Sequence, residues 1–143
     1  MWWSEKNKKE FFYYVMTNFV FLQMINIASV IMKITSQPIS NYQHTELAAG
    51  RWASMTLAEQ MLNIGSEVSR ANRWQSKGNM EQCHRAADRA LELLSLTIDA
   101  QRNKHDLGEF CRLYEVLADC YYGDNFYQTD PAKLQKYFDE FYI

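Results

Sequence analysis

From Thr56 onward, apolar side chains return every three or four positions, and each run of that pattern opens and closes on residues that start or stop helices. A stripe of that period lies along one face of an α-helix, so it has to be buried against another such stripe. Thr56-Leu-Ala-Glu59 opens the first run as a capping box, in which a hydroxyl and a carboxylate satisfy backbone amides left without partners in the first turn. Leu57, Met61, Ile64, Val68 and Ala71 follow at intervals of 4, 3, 4 and 3, and Gly78 supplies a left-handed stop.

A second helix starts at Asn79, with Gln82 three residues on, and runs to about Asp99. Cys83, Ala87, Ala90, Leu94 and Ile98 form its inner face with Leu91 at the edge, while Glu81 with Arg85 and Asp88 with Glu92 mark a solvated outer face. The polar segment from Gln101 to Lys104 makes a loop, and Asp106-Leu-Gly-Glu109 reads as a second capping box. Leu107, Phe110, Tyr114, Leu117 and Tyr121 form the third stripe, widened by Cys111 and Ala118 and closed by Gly123-Asp-Asn125. Asp130-Pro131 announces a fourth helix, with proline at the first helical position where its missing amide costs nothing; Leu134, Tyr137, Phe138 and Phe141 then face inward.

Four amphipathic helices on short connections make an all-α, antiparallel four-helix bundle over residues 54–143. The last helix keeps its aromatic face to the end, so either the sequence is cut short there or Tyr137, Phe138, Phe141 and Tyr142 form a face that docks onto something else.

The segment before the bundle has a different composition. All five glycines and all seven arginines lie at or beyond Gly50, whereas the first 49 residues are dense in Phe, Tyr, Ile, Asn and Lys. Phe11 to Met32 is an uncharged run of 22 residues preceded by Lys6, Lys8 and Lys9, which gives a separate apolar N-terminal helix over residues 1–34 and a connecting segment over 35–53. Three readings of that helix stand side by side. It is a signal anchor crossing a membrane with its N-terminus inside, since about 20 apolar residues span a bilayer; a helix packed on the bundle or on a partner; or the product of a start site placed too early, because its residues use AT-rich codons. Thr17, Asn18, Gln23, Asn26 and Ser29 interrupt the run and leave its hydropathy borderline for a span.

The chemistry that the sequence offers is thin. Cys83, Cys111 and Cys120 are odd in number, far apart and free of any C-x-x-C pairing, so they read as small buried hydrophobes rather than as disulfide or zinc ligands. Glu81-Gln-Cys-His84 has the spacing of a di-iron ligand pair, but a bundle site needs a second such motif, and His105 and His44 have Arg102 and Asn41 where glutamate would stand. His84 therefore reads as an exposed histidine on a polar face, and neither a metal nor another cofactor is expected. Metalloprotease, P-loop, nucleophile-elbow and dinucleotide-binding motifs do not occur. Cys83 and His84 are chain neighbours and point about 100° apart on a helix, which disfavours a catalytic pair. Arg70, Arg73, Trp74 and Lys77 cluster at the end of the first helix, where cations suit the helix dipole and where an anion or a partner would find them. From Thr56 onward acids outnumber Lys and Arg and the whole chain carries a formal −2, so nucleic acid is disfavoured as the main partner. Trp74-Gln-Ser-Lys-Gly78 with Ala90 and Leu94 matches several positions of a tetratricopeptide repeat, but one partial copy cannot build an array.

The stretches GSEVSRANRWQSKGN (65–79), RALELLSLTI (89–98), LYEVLADCYYGDN (113–125) and LQKYF (134–138) resemble a family of small uncharacterised bacterial α-helical proteins over roughly residues 50–142. That resemblance implies the helical fold and no activity. In architecture the domain is also similar to the HEPN four-helix bundles, which include RNA-cleaving toxins and partners of nucleotidyltransferases. The nucleases place arginine four to six residues before histidine; here Arg102 precedes His105 by three, so cleavage is not implied. The expectation is a non-enzymatic bundle acting through a protein partner or as a homo-oligomer in the cytoplasm. Its alternatives are a HEPN-like nucleotide- or RNA-related accessory using Arg70, Arg73 and Lys77, and a bundle anchored in the inner membrane through Phe11 to Met32.

Overall fold

The structure is a computed structural model that describes residues 46, 50–101 and 106–142. The bundle consists of a short 3-10 turn, Trp52–Ser54, and four helices: α1 (Leu57–Ser76), α2 (Met80–Ala100), α3 (Leu107–Tyr122) and α4 (Pro131–Asp139). The separate N-terminal helix expected over 1–34 lies outside the described residues, as does most of the loop from Gln101 to Lys104.

Three of the four helix starts form as their sequences require. Thr56 and Glu59 satisfy each other's backbone amides in a complete capping box, Asn79 accepts from the Gln82 amide, and Asp130 accepts from Ala132 with Pro131 in the first turn. Gly78, at φ +72°, turns the chain from α1 into α2 in the left-handed region open to glycine. The exception is Asp106, whose side chain makes no cap. Glu109, its expected partner, instead accepts from the Tyr137 hydroxyl of α4 at 2.9 Å.

The core holds the predicted stripes: Met61, Ile64, Val68 and Ala71 from α1, Cys83, Ala87, Ala90, Leu94 and Ile98 from α2, and Phe110, Leu117 and Tyr121 from α3. Leu57, Leu91, Leu107 and Tyr114 pack at its margin. Over Leu93–Ile98 every side chain of α2 is buried, so this part of the helix is enclosed on all sides rather than on one stripe. Trp52, which patterning assigns to the connecting segment, accounts for part of that enclosure. Its ring is buried and its Nε1 donates to Thr97 Oγ1 on α2 at 3.0 Å, while Gln60 Nε2 of α1 donates to the Trp52 carbonyl at 2.9 Å. The two bonds pin the entry of the chain to α1 and α2.

α4 runs antiparallel to α1. Asn72 Nδ2 reaches the Pro131 carbonyl at one end, and Gly65 faces Phe138 at the other. A Cβ on Gly65 would stand 2.6 Å from that of Phe138, so a helix-interior glycine, ordinarily costing about 1 kcal/mol against alanine, is what lets the two helices approach.

The membrane expectation is corrected. Among the described residues no helix is long and apolar enough to cross a membrane, and the run from Phe11 to Met32 on which that expectation rested lies outside them. Neither a transmembrane helix, nor a membrane partner, nor an inner-membrane location is retained.

Candidate functional site

Beside the close approach at Gly65, α1 and the α4 segment border an open groove of about 350 Å³. One wall is α1, with Leu62, Ser66, Ser69, Arg70 and Arg73; the other is α4 and its extension, with Gln135, Phe138, Asp139 and Tyr142. Two sets of residues far apart in sequence, the cations near the end of α1 and the aromatic C-terminal face, therefore meet in one place.

The fold uses only part of each set there. Arg70 and Arg73 line the groove, whereas Lys77 places its Nζ 5.2 Å from the centroid of the Trp74 ring, and that pair stays out of the lining. Trp74 is half-buried against the core edge. From the aromatic set, Phe138 forms the floor and Tyr142, 82% exposed, stands at one end. Tyr137 and Phe141 turn the other way. Tyr137 is buried with its hydroxyl on Glu109, and Phe141 packs edge-on against it at 5.8 Å between centroids.

The charges of the groove are unevenly engaged. Arg70 bonds Glu67, which also accepts from Arg89 Nε of α2 at 3.0 Å; that carboxylate is 10% exposed and holds two guanidiniums at once. Arg73 is exposed and forms no ion pair among the described residues. On the opposite wall Gln135 Nε2 donates to Asp139 Oδ1 at 2.8 Å, and Gln135 Oε1 is buried without a donor among the described residues. Ser66 is spent on its own helix, donating to the Leu62 carbonyl at 2.9 Å. Gly65, Ser69, Gln135 and Asp139 escaped the sequence reading. A glycine inside a strong helical pattern was the one available signal, since such a glycine marks a close backbone approach.

Other reactive groups are held in structural roles. His84 is no free surface histidine: it stacks on Tyr122 at 4.7 Å between centroids, and its Nε2 lies 3.1 Å from the Tyr121 carbonyl. Glu81, its partner in the metal-like spacing, pairs with Arg85 at 2.8 Å. Tyr122 donates to the Asp88 carboxylate, which remains exposed. Burial raises the thiols of Cys83 and Cys111, and burial together with neighbouring Asp119 pushes Cys120 up to about 11, the opposite of what activates a nucleophile. No cluster of three or more His, Cys, Asp or Glu suited to a metal forms among the described residues. Arg102 and His105, the pair bearing on the HEPN comparison, lie outside them.

The groove thus offers a cation with no ion pair among the described residues, a carboxylate and aromatic surface. No family model, no curated protein and no solved structure matches the chain.

Proposed function

We propose that this protein is a non-enzymatic helical bundle that acts by protein–protein contact, and that the groove between α1 and α4 is its contact surface. The observation carrying this reading is the convergence on one groove of Arg73, exposed and without an ion pair among the described residues, and Tyr142, an aromatic ring standing 82% exposed. Tyrosine and arginine are the residue types enriched where interfaces concentrate their binding energy. The same geometry weakens the nucleotide- or RNA-binding alternative: Arg70 is committed to Glu67 and Lys77 to the Trp74 face, so the three cations do not present a joint phosphate site.

A photo-crosslinking residue placed at Ser69 in the protein expressed in its own cell tests the reading. The expected result is a discrete adduct with a protein chain, absent when the same residue replaces Arg85 on the outer face of α2. Equal or no adducts from the two positions would overturn it.

A further inference from the structure

Two contacts fix how charge runs along the groove. Asn72 meets Pro131 and Gly65 meets Phe138, so α4 descends α1 in antiparallel register. In that register Arg73 stands beside the start of α4, while Asp139 stands beside Ile64, about nine residues or roughly 14 Å away along the α1 axis at 1.5 Å per residue. The groove is therefore polar end to end: at one extremity a guanidinium with no ion pair among the described residues, at the other a carboxylate with Leu62 just beyond it, and Gly65, Ser66 and Ser69 along α1 between them. The opposite charges are too far apart to satisfy each other within the chain.

A surface patterned in this way complements itself. Turned through 180° and laid face to face, it brings each positive end over the other's negative end, which is the condition for a two-fold contact, where the same patch serves both partners. A one-sided ligand matches it less well. An acidic peptide meets Asp139 with like charge, and a basic one meets Arg73. Tyr142 flanks the acidic end and is positioned to be covered by the partner's α1.

Resting on the reading of this groove as a protein-contact surface, we propose that its occupant is a second copy of the same chain, joined in a two-fold dimer with Arg73 of each copy opposite Asp139 of the other. Specificity comes from the paired ends and burial from Leu62 and Tyr142.

Sedimentation equilibrium of the full chain with a charge swap tests this. The wild type is expected to show a concentration-dependent monomer–dimer equilibrium. Arg73→Glu and Asp139→Lys are each expected to weaken it at least about tenfold, since each homodimer then juxtaposes like charges twice. An equimolar mixture of the two variants restores both pairs and is expected to return to within about threefold of wild type, with circular dichroism confirming that both variants stay helical. A wild-type chain that remains monomeric, a dimer indifferent to both substitutions, or a mixture that fails to recover would each overturn the proposal. If the Ser69 crosslinker captures a different protein while the chain sediments as a monomer, the contact surface stands and only the identity of its occupant is wrong.

Discussion

Tyr121 of α3 donates its hydroxyl proton to Asn72 Oδ1 of α1 across 2.6 Å, and Asn72 passes its own Nδ2 proton to the Pro131 carbonyl at 3.2 Å. One amide thereby joins three helices and holds the start of α4 against α1, which sets the register of the groove. Asn72→Ala leaves a buried hydroxyl and a carbonyl without their partner and is expected to cost about 1–3 kcal/mol. Tyr121→Phe removes one bond and is expected to cost about 1 kcal/mol. Urea unfolding with an unchanged m value measures both.

Gly65 makes a prediction whose sign runs against helix propensity. Alanine in a helix interior is favoured over glycine by about 1 kcal/mol, yet here the added methyl meets Phe138 Cβ at 2.6 Å. Overpacking of that kind costs about 1–3 kcal/mol, so Gly65→Ala is expected to lower the thermal midpoint. A Phe138→Ala background keeps that Cβ and is expected to leave much of the penalty in place, whereas Phe138→Gly removes it and is expected to relieve it; the double-mutant cycles read that coupling.

Stability is expected to depend on pH through two carboxyls with opposite effects. Hydrogen bonds from Thr56 hold Glu59 below the ordinary value of 4.5, so its contribution is complete above that value and fades as pH falls through the folded-state value. Burial raises Glu115 above 4.5, although Tyr127 and Arg112 offset part of the shift. The folded protein then binds that proton more tightly than the unfolded chain, and stability is lost as pH rises from 4.5 through the raised value. Glu115→Gln is therefore expected to raise the melting temperature at neutral pH and to converge with wild type in acid. Glu59→Gln is expected to lower it at neutral pH. Melting curves across the acid range give both.

The thiols supply a kinetic check. With Cys83 and Cys111 buried and Cys120 pushed up to about 11, the native protein is expected to react slowly with a thiol reagent near neutral pH, and all three cysteines are expected to react promptly in denaturant. A fast native phase would show that at least one thiol is open to solvent as a thiolate.

What the sequence could reveal follows the range of the interactions. Capping boxes and stripes are local, so Thr56, Glu59, Asn79, Asp130 and the inner faces of the helices were legible. Trp52 finds Thr97 across 45 positions, Asn72 finds Pro131 across 59, and Tyr137 takes Glu109 from its own helix cap. No periodicity encodes such pairings. For the groove, the residue types were visible on α1 and α4 separately, but only the antiparallel register decides that Arg73 and Tyr142 face a common space while Tyr137 and Phe141 turn into the bundle.

Tyr142 and Phe126 form a natural pair of probes for the central claim: both are exposed aromatics, at 82% and 66%, and only Tyr142 lines the groove. Hydroxyl-radical footprinting of the full chain in extract from its own cell, compared with the dilute purified protein, follows both rings at once. Selective protection of Tyr142 in the extract, with Phe126 oxidised equally in both samples, is the predicted result. Tyr142 oxidised as fast in extract as in dilution would contradict a contact surface between α1 and α4.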